Sequence, residues 1–232
     1  MNHYSAVVIL LLAIICFYCT SAEPEFESLF DGESFAGWKL PAGDNGHWRI
    51  ADDVIDYDHQ SEAAGEKHLW SADAYDDFIL KIDWRLTGEK QTETVPVILP
   101  DGSVAVNEDG EQKMVEIKDA GDSGIYLRGN SKSQINIWCW PVGSGEVWGY
   151  RTDPDMPPAV RRAATPDTCA DKPVGEWNTF VITLEDSILS VDLNDITVID
   201  KAPLPGIPPS GKLALQHHDG HIQFRNIYIK PL

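Results

Sequence analysis

The feature that most constrains this chain is a recurrence of short segments in which apolar and polar residues alternate one by one between Gly, Pro, Asn and Asp turns, with no long run of helical periodicity. Successive side chains of a strand point to opposite faces, so such alternation sets one face in a core and the other in polar surroundings. The run Phe78-Ile79-Leu80-Lys81-Ile82-Asp83-Trp84-Arg85-Leu86 is the clearest case. It places Phe78, Leu80, Ile82, Trp84 and Leu86 on one face and Lys81, Asp83 and Arg85 on the other.

The same phase runs through Ser123 to Arg128, where Ile125 and Leu127 are expected inward and Gly124, Tyr126 and Arg128 outward. After a turn at Gly129 to Ser133 the chain returns as Gln134-Ile135-Asn136-Ile137-Trp138-Cys139-Trp140, with Gln134, Asn136, Trp138 and Trp140 on the polar face. Further strands are predicted at 179–184, 188–193, 197–199, 212–217 and 222–229, with tight turns at Asp186-Ser187 and Asn194-Asp195. The long stretch 87–122 reads as an excursion hairpin around Pro100-Asp101-Gly102-Ser103, and the Gly- and Pro-rich stretch 142–175 as a loop of the kind that builds sites on a sheet scaffold. Many short alternating strands predict an all-β fold, a two-sheet antiparallel sandwich of jelly-roll type, with a closed barrel as the alternative.

Residues 1–22 carry no Lys, Arg, Asp or Glu, and Val7 to Tyr18 is unbroken apolar or aromatic sequence ending near the small residues Thr20-Ser21-Ala22. A permanent span needs about 20 apolar residues, so this reads as a signal peptide and predicts export to the periplasm or the extracellular space, with no stable membrane span after cleavage. The n-region lacks Lys and Arg, which leaves an uncleaved anchor open. Residues 23–232 are long enough for one sizeable core and are expected to form one domain. Acids outnumber bases 37 to 18, a net charge of −19, and this disfavours a nucleic-acid partner, which is bound through clustered Lys and Arg. After processing only Cys139 and Cys169 remain, and pairing and two free thiols stay equally open.

Chemistry-bearing residues gather in two places. From Gln134 to Tyr150, Trp138, Trp140, Trp148 and Tyr150 lie beside Gln134, Asn136 and Glu146, a combination suited to a sugar, whose C–H face stacks on aromatic rings while its hydroxyls bond to amides and charged groups. Core coverage by the same Trp side chains is the alternative, and it leaves Trp148 undecided. In Gln216-His217-His218-Asp219-Gly220-His221, the phase of Leu213 and Leu215 puts Gln216 and His218 on the polar face, where an imidazole beside Asp219 has the exposure that proton transfer needs. Consecutive His217 and His218 point to opposite faces, which disfavours a shared metal. The sequence requires no cofactor and leaves a divalent metal open. Asp83 is the strand-borne carboxylate candidate if its strand lies on the concave sheet.

No Gly-x-Ser-x-Gly, His-Glu-x-x-His, phosphate-binding or dinucleotide-binding pattern is present, nor two acids closely spaced on one strand face as a retaining glycosidase would want.

Several stretches, in order, resemble the 3-keto-disaccharide hydrolase domain family over nearly the whole of 23–232. They are Phe26 to Trp38, Asp77 to Leu86, Asp122-Ser123-Gly124-Ile125-Tyr126-Leu127-Arg128-Gly129, Gly175-Glu176-Trp177-Asn178, Leu215 to Gly220 and Phe224-Arg225-Asn226-Ile227. The resemblance implies a jelly roll similar to concanavalin A-like lectins and glucanases, an oligosaccharide or glycoside substrate oxidised at C3, and an upstream sugar 3-dehydrogenase to supply it. A ketone at C3 acidifies the C2 proton, so the aglycone leaves by elimination and water adds back, without the usual carboxylate pair. Carried over by position, it implies His218 as the base, Asp83 or Asp219 as the orienting or acid group, Arg128 and Gln216 as donors, and Trp138 and Trp140 as stacking rings. Many relatives carry Glu-Val-Gln-Ile where this chain reads Gln134-Ile135-Asn136-Ile137, an amide in place of a carboxylate. A non-catalytic carbohydrate-binding module on the same sandwich, and a purely structural surface protein, are the other readings.

Overall fold

The computed structural model describes residues 25–232, so the predicted signal segment lies outside the described residues. Two antiparallel sheets pack face to face. The larger contains β1 (Glu27–Ser28), β3 (Trp48–Ala51), β4 (Val54–Tyr57), β6 (Phe78–Leu86), β11 (Asn178–Glu185), β12 (Ile188–Leu193), β13 (Ile196–Pro203) and β15 (Ile222–Pro231). Its order is β13-β12-β11-β6-β15-β4-β3, with β1 also paired to β15. The smaller contains β2 (Trp38–Lys39), β5 (Leu69–Tyr75), β9 (Ser123–Leu127), β10 (Asn130–Ile137) and β14 (Gly211–Leu215), in the order β10-β9-β14-β5-β2. The expected all-β sandwich is what forms.

The core lies where the alternation puts it. From β6, Leu80, Ile82 and Trp84 face Ile125, Leu127, Ile135 and Leu215 of the smaller sheet, and all are essentially excluded from solvent. Each such side chain contributes about 1.5–3 kcal/mol through burial. Trp84 and Phe180 meet at 5.4 Å between ring centroids. Asp186 at one hairpin of the larger sheet, and Asn194 with Asp195 at the next, take positive φ and so make the predicted tight turns.

The excursion is a separate hairpin of β7 (Gln91–Pro96) and β8 (Met114–Asp119), prolonged by isolated pairings Ile98↔Val104 and Val106↔Gln112. Its tip docks at Gly102 against the two short helices α1 (Trp148–Arg151) and α2 (Pro158–Ala163); a Cβ at 102 would stand 2.7 Å from Thr165 Oγ1. Among the described residues no helix is long and apolar enough to cross a membrane. Cys139 and Cys169 are free thiols that line one cavity at the sandwich edge.

Candidate functional site

The outer face of the smaller sheet carries a cleft of about 670 Å³. Its floor is a row of polar side chains set by strand register. Tyr126 pairs with Gln134 across β9 and β10, and with Ala214 across β9 and β14, so Gln216 and Asn136 fall one row further along on the same face. Gln134 Nε2 donates to Asn136 Oδ1 at 2.6 Å and to Gln216 Oε1 at 3.0 Å, while Gln216 Nε2 donates to the Tyr126 hydroxyl at 3.1 Å. All three amides are more than nine-tenths buried. Packed amides joined to each other keep fixed orientations, which is what a floor that reads hydroxyl positions needs.

Two features of β9 and β10 make this row. Gly124 sits between Gln134 and Gln216, and its missing side chain is the space the Gln134 chain crosses. Between Asn130 and Gln134 the register jumps, and the Ser133 hydroxyl closes the bulge by donating to the carbonyls of Leu127 and Asn130 at 2.7 and 2.9 Å. The bulge resets the phase that puts Gln134 on the cleft face and lifts Lys132 to the rim, where it pairs with Asp153.

At one end the cleft continues into a second lobe of about 570 Å³, and the two lobes share Asp122 and His218. These residues meet because Gly121 and Gly220 pack backbone to backbone; a Cβ on Gly121 would lie 2.4 Å from the Gly220 Cα. The Asp122 amide donates to the Asp219 carbonyl at 2.8 Å. Asp122 Oδ1 is buried without a protein partner. Burial first, then the neighbouring carboxylates of Asp119, Glu146 and Asp219, push its carboxyl up to about 8, so that it carries a proton at neutral pH. His218 is exposed to the cleft, and among the described residues nothing hydrogen-bonds its ring. Beneath the floor Glu146, fully buried and paired with Arg151, is raised to about 7 by burial, which the guanidinium partly opposes.

The expected residues divide. Gln134, Asn136, Gln216 and His218 line the cleft together. Asp219 is exposed and lines only the second lobe, where its Oδ1 accepts the Gly220 amide at 2.9 Å. Three expectations need correction. Asp83 points outward as its phase requires, but from the larger sheet, so it lies on the opposite side of the sandwich, bonded to Thr179 Oγ1 at 2.7 Å and Asn226 Nδ2 at 2.7 Å. Arg128 leaves the strand phase because it takes φ +49° in the two-residue turn with Gly129. Its buried guanidinium donates to the carbonyls of Asp76 and Pro208 at 2.7 and 3.1 Å and to Asp77 Oδ1 at 2.6 Å, closing the end of the sandwich. Trp138 and Trp140 follow the end of β10, stack on each other at 4.2 Å and line an edge cavity of about 310 Å³, with Trp138 Nε1 donating to the Gly143 carbonyl at 2.8 Å. Trp140 also borders the second lobe.

The indole that lines the cleft is Trp148, at the start of α1 and 48% exposed. Asp122 was missed as a site residue although it is in phase with Gly124 and Tyr126, which is the signal that finds it. Glu146 stands in the 134–150 stretch that the sequence singles out, but nothing in the sequence shows its burial. Among the described residues no group of three or more His, Cys, Asp or Glu side chains is placed to hold a metal ion.

Two solved structures from Parabacteroides distasonis, both provisionally described as glycosyl hydrolases, share the fold. One is 19% identical with a TM-score of 0.58, over 89% of this chain and 94% of its own. The other is 18% identical with a TM-score of 0.55, over 90% of this chain and 100% of its own. No curated protein matches the sequence. The family described as the 3-keto-alpha-glucoside-1,2-lyase-like domain matches residues 25–230.

Proposed function

Because the chain belongs to the 3-keto-alpha-glucoside-1,2-lyase-like family, we propose that it cleaves glycosides whose sugar ring carries a ketone at C3, by elimination followed by addition of water. The observation that carries this reading is the pairing, at the junction of two lobes, of a carboxyl held protonated and an imidazole left free of hydrogen bonds, Asp122 and His218. Elimination next to a ketone needs one base and one acid, and no carboxylate nucleophile.

In the first step His218 takes the C2 proton, the electron pair forms the enolate, and the C1–O bond breaks as Asp122 gives its proton to the leaving oxygen. In the second, water adds across the C1–C2 double bond: hydroxyl to C1, its proton to Asp122, and the proton on His218 back to C2. The net change is hydrolysis. The amide floor orients the ring hydroxyls, and Trp148 offers an apolar face to a second ring. On this reading the substrate comes from an oxidation at C3, the role of an upstream sugar dehydrogenase, and the charge-free leader supports a reaction outside the cytoplasm.

The exposed Trp148 beside a row of buried amides also suits a module that binds sugar without turning it over. One experiment separates the two readings. The protein is incubated with a C3-oxidised disaccharide and with its unoxidised parent, and monosaccharide release is followed. Release from the oxidised substrate alone supports cleavage. Binding of either sugar without release supports the module.

A further inference from the structure

Three polar atoms under the cleft have no protein partner: Asn136 Nδ2, Glu146 Oε2 and Asp122 Oδ1. Their residues are neighbours by backbone pairing. Ile135 bridges Val147, and the Asn136 amide donates to the Glu146 carbonyl at 2.9 Å, which sets Asn136 beside Glu146 on the cleft side of the sheet. Asn136 pairs with Gly124 on its other flank, and Asp122, two residues from Gly124, lies diagonally from Asn136 on the same face. Asn136 and Glu146 are 1% and 0% exposed.

The remaining bonds fix which way these atoms present. Asn136 Oδ1 accepts from Gln134, so its NH2 group is the side left as a donor. Glu146 Oε1 is held by Arg151, whose Nη1 reaches toward the Gly102 carbonyl of the excursion tip at 3.5 Å. One amide donor and two carboxyl oxygens, buried and unpaired, match a single hydroxyl-type oxygen, which accepts from the Asn136 amide and the Glu146 O–H and donates to Asp122. An unpaired buried polar atom destabilises the fold, so three in one place call for a common partner.

We propose that Asp122, Asn136 and Glu146 form a binding site for one hydroxyl oxygen, a water or a hydroxyl of the bound sugar, and that this oxygen carries protons between the cleft carboxyl Asp122 and the buried carboxyl Glu146. The relay rests on the cleavage reading; the oxygen site does not. When Asp122 has given its proton to the leaving group, the Glu146 O–H bond breaks toward the bound oxygen. An O–H bond of that oxygen then breaks toward Asp122, so Asp122 is protonated again and the charge sits on Glu146. There it faces the Arg151 guanidinium, whereas on Asp122 it would face the carboxylates of Asp119 and Asp219. The charge therefore moves from acidic surroundings to a cation. Where that oxygen is a water, Glu146 acts through it as a positioning residue and does not touch substrate.

The test has two arms. High-resolution crystal structures are determined without ligand and after soaking with the unoxidised disaccharide. A water within hydrogen-bond distance of Asn136 Nδ2 and Glu146 Oε2 in both crystals assigns the oxygen to water. Its replacement by a ring hydroxyl on soaking assigns it to the sugar. No oxygen there in either crystal overturns the site. In the second arm, Glu146→Gln is compared with wild type across pH 5 to 10 on the oxidised disaccharide. The expected result is a basic limb of the kcat profile moved down by at least half a pH unit, with kcat reduced at least fivefold and KM within twofold. An unchanged limb in a folded Glu146→Gln protein overturns the relay. If wild type releases nothing from the oxidised disaccharide, the cleavage reading and the relay both fail, and the crystals alone decide the oxygen site.

Discussion

The side chain of Gln134 crosses the sheet over Gly124: a Cβ at position 124 would stand 2.7 Å from its Cγ and 2.8 Å from its Nε2. The bonds that Gln134 makes to Asn136 and Gln216 therefore depend on a hydrogen atom where any other residue has carbon. Gly124→Ala is expected to push Gln134 off Gln216 and lower kcat/KM at least tenfold, about 1.4 kcal/mol of lost transition-state binding. Circular dichroism should show the fold retained. Full activity in a folded Gly124→Ala protein would mean the amide row is not what holds the substrate.

Asp122 carries a pH prediction of fixed sign. Its carboxyl is raised to about 8 by burial and by Asp119, Glu146 and Asp219, against about 3.9 in an unfolded chain. Between those values the folded protein keeps a proton that the unfolded chain has released, so stability falls as pH rises from about 4 to about 8. Asp122→Asn removes that slope. Its melting temperature, relative to wild type, should be unchanged at pH 4 and higher by several degrees at pH 9, at roughly 2–4 °C per kcal/mol for a domain of this size.

The same variant separates acid catalysis from binding. Protonating the leaving group is worth about 10²–10⁴-fold for a poor leaving alcohol and little for one that leaves as a stable anion. Asp122→Asn should lose at least a hundredfold on an oxidised disaccharide and less than tenfold on a 3-keto p-nitrophenyl glycoside. Equal losses on the two substrates would remove Asp122 from the role of acid. His218→Ala, by contrast, should lose at least a hundredfold on both, since C2 deprotonation precedes departure of either group.

Arg128 and Asp83 belong to the frame. Arg128→Ala leaves the carbonyls of Asp76 and Pro208 and the Asp77 carboxylate without their guanidinium donor. A loss on the order of 3 kcal/mol is expected, seen as a lower urea midpoint, with kcat within twofold of wild type below the transition. Asp83→Asn should leave kcat and KM unchanged, since the side chain faces away from the cleft.

Trp148 is the indole that lines the cleft, and it packs little. Trp148→Ala should move stability by less than about 1 kcal/mol. A rise in KM of threefold or more for a disaccharide, with KM for a 3-keto methyl glycoside unchanged, would show that the indole holds the second ring. Identical KM changes for the two substrates would assign Trp148 to the first ring instead.

Much of this was readable from alternation, because alternation reports burial and burial is local to a strand. Phe78 to Leu86 announced its two faces, and Gln134, Asn136 and Gln216 were placed on the polar side by counting in twos. Counting fails where the strand ends. Arg128 was counted as one residue too many on β9, and its positive φ turned the side chain into the end of the sandwich. Trp138 lies just past the last residue of β10, where the chain folds back to put Ser144 Oγ and the Gly143 carbonyl on Trp138. His218 also lies beyond its strand, yet keeps its place because the contact of Gly121 with Gly220 ties that segment to Asp122.

The sequence by itself therefore determined the all-β class, the inward and outward set of each strand, and the amide row with its neighbouring histidine. Only the tertiary structure decided which outward faces meet. Asp83 and Gln134 have the same polarity signal, and strand order alone puts them on opposite sides of the molecule. Asp122, Asn136 and Glu146 are brought together by pairings between successive segments of the chain, and it is the desolvation created there that gives two ordinary acids their protons near neutral pH. Polarity is a property of a residue, whereas a shifted proton affinity is a property of its surroundings.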